Sequence, residues 1–165
     1  MSLYSWDYPN DDGVPGWFRR ARAYIDASRH LFGALEGGTL PRTYHHAQVA
    51  AFVFAQSIEN FLKGAIVAAG SPFGRSHSLS RLYGVYKAAF PNPEYRFTGA
   101  IDDPARDDAW PPNEFLRYPV DNDGQPWFGQ SHFDLSVWTE QVRRFDHDYR
   151  RLEPLLTSHA QRATS

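Results

Sequence analysis

Between Tyr44 and Gly70 small and aromatic residues recur in alternating steps of three and four, at Tyr44, Ala47, Ala51, Ala55, Ile58, Leu62, Ala65 and Ala69. That spacing keeps side chains on one face of a helix. Phe52, Phe54, Phe61 and Ile66 widen the stripe until most of the circumference is apolar. A helix apolar on nearly every side belongs in the middle of a bundle. Pro41 opens it and Gly70 with Pro72 closes it, so the pattern predicts a central helix over 41–69, roughly 40 Å long at 1.5 Å per residue. Glu59 lies four residues before Lys63, the favourable order for an ion pair along a helix.

Other stretches read as cover for this rod. Pro15 suits the first turn of a helix over about 15–36, with Trp17, Ala21, Tyr24, Ser28, Leu31 and Leu35 on one face, Phe18, Ile25 and Phe32 beside it, and Gly37 and Gly38 as the stop. Arg19, Arg20, Arg22, Asp26 and Arg29 mark its solvated side. A shorter helix is predicted over 78–90, with Leu79, Leu82, Tyr83, Tyr86 and Ala89 inward and Pro91 as the stop. A last helix over about 132–158 carries Trp138, Val142, Phe145, Tyr149, Leu152 and Leu156 in steps of four and three. Ser131 with Asp134 suggests a capping box, and Pro154 is expected to kink the helix or end it near Glu153. The fold class is therefore all-α: an antiparallel up-and-down bundle of four main helices in a single domain over 1–165. A polar arm at 1–14 carries Trp6 and Tyr8 as anchors, and a polar tail at 159–165 is expected to fray.

Residues 91–131 break the pattern. They hold seven of the twelve prolines and show neither helical nor strand periodicity. Loops of this length inside a domain tend to be functional or disordered. Trp110 and Trp127 would anchor this one over the bundle, with Phe115 to Pro119 embedded in it.

Composition narrows the chemistry. The absence of cysteine excludes disulfides, thiolate metal sites and cysteine nucleophiles. A formal charge of −2 offers no global attraction to nucleic acid or to an anionic membrane. Glu59 and Lys63, among other polar residues, argue against membrane insertion of the central helix. The start of the chain has neither a basic segment nor an apolar core of secretory type, so a cytoplasmic protein is the expectation. No phosphate loop, HExxH helix or GxSxG elbow is present. Asp121-Asn122-Asp123-Gly124 lacks the spacing and the final glutamate of a calcium loop, and reads as a turn. No metal and no cofactor is implied. Adjacent His45 and His46 point about 100° apart on a helix, which fits capping or packing. Arg143 and His147 share one face of the last helix, where an Arg clamp and a His proton donor could act on a phosphate.

Several motifs in order carry a family resemblance. Ala55, Gln56, Glu59, Leu62 and Lys63, then His77, then Arg117-Tyr118-Pro119 and a final amphipathic helix, resemble the HEPN family (higher eukaryotes and prokaryotes nucleotide-binding) from Trp17 to about Leu156. Asn60 stands where that pattern usually has lysine. The resemblance implies an antiparallel helical bundle that commonly dimerises. Many members are metal-independent RNases, often toxins, using an Arg and a His with four to six residues between them. Here Arg143 and His147, like Arg42 and His46, leave three between, while Arg22 and His30, and Arg151 and His159, leave seven. The resemblance then implies a non-catalytic, homodimeric module binding a nucleotide-like ligand, RNA or a nucleotidyltransferase-type partner, in the manner of a toxin–antitoxin system. Arg117, Tyr118, Lys63 and His77 are its candidate ligand-binding residues. The alternative is a metal-independent RNase toxin with Arg143 and His147 as an atypical catalytic pair.

Overall fold

The computed structural model describes residues 13–72, 74–98 and 134–163. They form four α-helices, α1 (Val14–Glu36), α2 (Tyr44–Ala68), α3 (Leu79–Ala89) and α4 (Leu135–Ala163), with a 3₁₀ turn at Pro93–Tyr95. No strand occurs among the described residues. Arg117, Tyr118, Trp110, Trp127, Ser131, the Asp121–Gly124 turn and the N-terminal Trp6 and Tyr8 lie outside them.

The helices begin and end where local chemistry satisfies their free backbone groups. Pro15 occupies the first turn of α1. After Glu36 the chain turns through Gly38 at φ 74°, a left-handed conformation that glycine adopts without strain. Arg42 then reaches back, its Nε donating to the Leu35 carbonyl at 2.8 Å and its Nη2 to that of Glu36. The central helix starts at Tyr44 and not at Pro41, because the Thr43 hydroxyl is the cap: it accepts from the His46 N–H at 3.4 Å and lies 2.6 Å from His46 Nδ1. His46 is thus a capping histidine. Ser78 caps α3 through the Arg81 N–H.

Chain direction follows from ring contacts. Phe18, near the start of α1, lies 5.4 Å from Phe61, near the end of α2, so these two helices are antiparallel. Trp138 at the start of α4 stacks on Phe32 near the end of α1, and the Tyr149 hydroxyl donates to the Phe18 carbonyl, so α4 is antiparallel to α1 and runs with α2. This is the up-and-down order expected of a bundle joined by successive connections. Gly64 allows the close approach of α1 to α2: a Cβ there would lie 2.8 Å from the Trp17 Cβ.

The core is aromatic, centred on Phe61, whose ring lies within 6 Å of those of Phe18, Phe97, Phe145 and Tyr149. Phe54 is fully buried, and Phe52 packs against the core from a partly buried position. Phe97 comes from the start of the Pro-rich segment expected to be an ordered excursion laid over the bundle. Asn92 caps the 3₁₀ turn with Pro93 at its start, and the chain then delivers Phe97 between Phe61 and Phe145.

Helix α4 departs from expectation at both ends. Asp134 is itself the cap, its Oδ1 accepting from the N–H groups of Ser136 at 3.0 Å and Val137 at 3.3 Å. The Ser136 hydroxyl, then the backbone donors, hold its carboxyl below the usual range. Pro154 does not end the helix, which continues to Ala163. Pro154 and Arg150, one turn earlier, are both exposed, and buried Leu152 and Leu156 hold both sides of the proline onto the core.

Candidate functional site

Helix α2 carries charge inside the bundle. Glu59 and Lys63 are only 4% and 7% exposed, one helical turn apart, with Lys63 Nζ 2.8 Å from Glu59 Oε1. His77, just ahead of α3, brings Nδ1 to the same oxygen at 2.8 Å. Gln56 approaches the second carboxylate oxygen at 3.5 Å, and the Lys63 ammonium lies 5.9 Å from the centre of the Trp17 ring. Two candidate ligand-binding residues, Lys63 and His77, therefore meet on one carboxylate, at a place where α1, α2 and the approach to α3 converge. Lys63 is buried, whereas the His77 side chain is 59% exposed and forms the outer edge of the cluster. Arg117 and Tyr118 fall outside the described residues.

The Arg143 and His147 pair has a different setting. Arg143 is exposed and its guanidinium forks onto Glu140, Nε at 2.6 Å and Nη2 at 2.7 Å. Arg144 shares that carboxylate at 2.7 Å. Hydrogen bonds from Arg143 and then Arg144 pull the Glu140 carboxyl down to about 2. His147 is exposed on the same helix and makes no hydrogen bond to a described residue. No carboxylate or carbonyl among the described residues fixes its tautomer, as a partner usually does for a catalytic imidazole.

Two buried carboxylates on α4 escaped the sequence reading. Asp146 faces α1, where Arg22 donates to it, with Arg29 at 3.4 Å and Arg150 at 3.2 Å. Burial works against its ionisation, but the hydrogen bonds from Arg22 and Arg150 outweigh it and hold the carboxyl below its ordinary value. Arg22 is consequently half-buried and does not belong to the solvated face assigned to it. Asp148, 1% exposed, accepts from the Thr98 backbone N–H and hydroxyl and from Arg151 at 3.0 Å. Arg151 also donates to the carbonyls of Glu94 and Arg96. The only signal in the sequence is that Asp146 and Asp148 flank the apolar stripe at Phe145 and Tyr149, which does not decide burial, since Asp26 beside Ile25 on α1 is exposed.

With the four-helix order and the Glu59–Lys63 motif in place, the family model of the HEPN domain matches residues 14–102, more than half of the chain. The chain belongs to the HEPN domain family. The match runs from α1 through the 3₁₀ turn, so the cluster on Glu59 lies inside the HEPN match and the α4 carboxylates lie beyond it. No curated protein and no solved structure matches the chain. HEPN membership is consistent with a function related to nucleotides or RNA. Among the described residues no helix is long and apolar enough to cross a membrane, and no group of three or more His, Asp or Glu side chains is placed to hold a metal.

Proposed function

We propose that this HEPN domain is a non-catalytic module that binds a nucleotide-like ligand or RNA, with Lys63 and His77 on the wall of the binding pocket and Arg117 and Tyr118 completing it. The observation that supports the reading is the convergence of Lys63 and His77 on the buried Glu59 carboxylate. A buried ion pair contributes little net stability compared with apolar residues of the same size, and this one, unlike the Asp146 and Asp148 pairs that tie α4 to other parts of the chain, lies within one helix and is met by an exposed histidine, which favours a role in orienting ligand groups. Glu59 fixes His77 through Nδ1 and leaves Nε2 to face a phosphate. Arg117 supplies a bidentate clamp and Tyr118 a stacking surface for a base.

A thermal-shift screen of nucleotides and short RNAs against the wild type and His77→Ala tests this. A ligand at a hundred times its dissociation constant adds about 2.7 kcal/mol of stability. The shift is expected in the wild type and reduced in the variant, which keeps the Glu59–Lys63 pair intact. No shift with any nucleotide or RNA removes the pocket.

The same reading makes the chain one half of a toxin–antitoxin pair, acting as a homodimer with a nucleotidyltransferase as its partner. Support for self-association is confined to family habit and to Val49 and Val137, each about half exposed. Sedimentation at micromolar concentration tests it, and a monomer there removes the homodimer. The competing reading, a metal-independent RNase toxin using Arg143 and His147, requires an Arg that the Glu140 carboxylate already occupies. Metal-free cleavage of single-stranded RNA that disappears in His147→Ala would establish that reading in place of the first.

A further inference from the structure

The seam between α1 and α4 carries more positive charge than its own packing uses. Three guanidiniums converge on the buried Asp146 carboxylate: Arg22 donates to Oδ1, Arg29 lies 3.4 Å from Oδ2, and Arg150 brings Nε to 3.3 Å and Nη2 to 3.2 Å. Arg22 also forks onto Asp26, Nε at 3.2 Å and Nη2 at 2.7 Å. On the preceding turn of α4, Arg143 and Arg144 share the Glu140 carboxylate. Five arginines thus meet three carboxylates, a local surplus of positive charge on a chain whose formal charge is −2.

The surplus lies in the outer forks. A guanidinium has five N–H donors, of which Arg29 engages one and Arg150 two with described residues. Their side chains are 53% and 67% exposed. Arg22 alone would neutralise Asp146, and further guanidiniums on the same carboxylate repel one another. Folding therefore does not account for all three. The patch is short: Arg22 and Arg29 are two turns apart on α1, about 10 Å. Acid bounds it at both ends of the seam, with Glu36 taking the Thr139 hydroxyl at one end and Glu153 one turn beyond Tyr149 at the other.

We infer that this patch receives an acidic segment of a partner protein, whose carboxylates take the unengaged donors of Arg29 and Arg150. The planar fork of Arg matches a carboxylate, and Arg is enriched among the residues that dominate protein interfaces. Asp146 holds the guanidiniums in place before the partner arrives, which lowers the ordering cost of binding. The bounding acids favour a short peptide segment over RNA, whose backbone would run into them. Tyr149 at the seam is buried under the Arg22 guanidinium, so its ring offers no face to a base. The patch shares no residue with the Glu59 cluster, and its α4 half lies beyond the HEPN match.

Titration of the full chain with a blocked 12-residue peptide of alternating Glu and Ala, with its Lys and Ala counterpart and with a 12-nucleotide single-stranded RNA, followed by amide NMR shifts, tests the inference. Saturable shifts at 22–30 and 143–150 are expected with the acidic peptide, weakening as salt is added, and none with the basic one. The Arg29→Ala, Arg150→Ala double variant changes exposed side chains only and keeps the Arg22 pairs, so it should fold and bind at least about tenfold more weakly, the worth of one charge-assisted hydrogen bond. Arg81→Ala, which removes an exposed arginine of α3, should bind like the wild type. Absence of shifts at these positions with the acidic peptide overturns the inference. So does a double variant that binds like the wild type, an equal loss in Arg81→Ala, or RNA that binds the patch more tightly than the peptide.

Discussion

The Asp148 carboxylate holds the Thr98 backbone N–H at 3.0 Å from each of its oxygens and takes the Thr98 hydroxyl at 2.8 Å. Fifty residues of sequence separate the partners, and the contact fixes the chain just after Phe97 has entered the core. Asp148 also binds Arg151, which carries the carbonyls of the 3₁₀ turn. Asp148→Ala is therefore expected to destabilise by about 1–3 kcal/mol in urea unfolding, because it removes a buried carboxylate that accepts from Thr98 and leaves the half-buried Arg151 guanidinium without that partner. Asp148→Asn keeps one acceptor and should lose less. Equal losses in the two variants would mean that the carboxylate charge plays no part.

Gly64 and Gly84 give opposite predictions for one substitution. A methyl at Gly64 meets the Trp17 Cβ at 2.8 Å and the Phe18 ring at 3.1 Å, so α1 must move away from α2. Overpacking of this kind costs about 1–3 kcal/mol and is only partly offset by the better helix propensity of alanine. At Gly84 no atom lies within 4 Å of the added methyl and the site is exposed. Gly84→Ala should stabilise by about 0.5–1 kcal/mol, with thermal unfolding reporting both signs. A stabilised Gly64→Ala would show that the helices are not in close contact there.

Asp146 makes stability depend on acid. Its folded carboxyl titrates below the ordinary Asp value of 3.8, so the unfolded chain binds a proton first as pH falls. The contribution of the Asp146 network is therefore complete above that ordinary value and is lost as pH drops through the lower folded one. Asp146→Asn should cost about 1–3 kcal/mol at neutral pH and flatten the acid limb. Carbon-detected NMR titration of the Asp146 carboxyl gives the direct measure, and a midpoint at or above 3.8 would contradict the role of Arg22 and Arg150.

The helical stripes of α2 and α4 were legible because their apolar residues recur over many turns, and the buried faces agree with them: Ala47, Ala51, Ala55, Ile58, Leu62 and Ala65 on α2, and Val142, Phe145, Tyr149, Leu152 and Leu156 on α4. Boundaries were less legible. Thr43, not Pro41, caps α2, since a hydroxyl that accepts a backbone N–H decides the start more directly than a proline does. Of the two outcomes expected at Pro154, a kink or an end, the end does not occur, because buried Leu152 and Leu156 hold the helix on both sides of the proline. Local pairing of Glu59 with Lys63 follows from i,i+4 spacing, but the arrival of His77 on the same oxygen depends on how α3 is placed, which no local pattern encodes. The Asp146–Arg22 contact joins residues 124 apart in sequence and the Asp148–Thr98 contact residues 50 apart, and only the position of the two acids beside the stripe hinted at burial.

Tyr149 joins α4 to α1 and offers a probe at the alkaline end. Its hydroxyl donates to the Phe18 carbonyl at 2.9 Å, and the Arg22 guanidinium lies 5.2 Å over its ring. Burial of the phenol is the main reason that its pKa is pushed up to about 12, with Glu153 adding to the effect and Arg22 opposing it. The folded state therefore prefers the neutral phenol. Its contribution is complete below the ordinary tyrosine value of 10.0 and is lost as pH rises through about 12. Tyr149→Phe should cost about 1 kcal/mol at neutral pH, the worth of one hydrogen bond whose acceptor also serves the α1 ladder. The difference between wild-type and variant phenolate absorbance on alkaline titration isolates this one group among nine tyrosines. A difference curve centred near 12 is the expected result. A midpoint near 10 would mean that the phenol is solvated and that the Tyr149 link between α4 and α1 does not form.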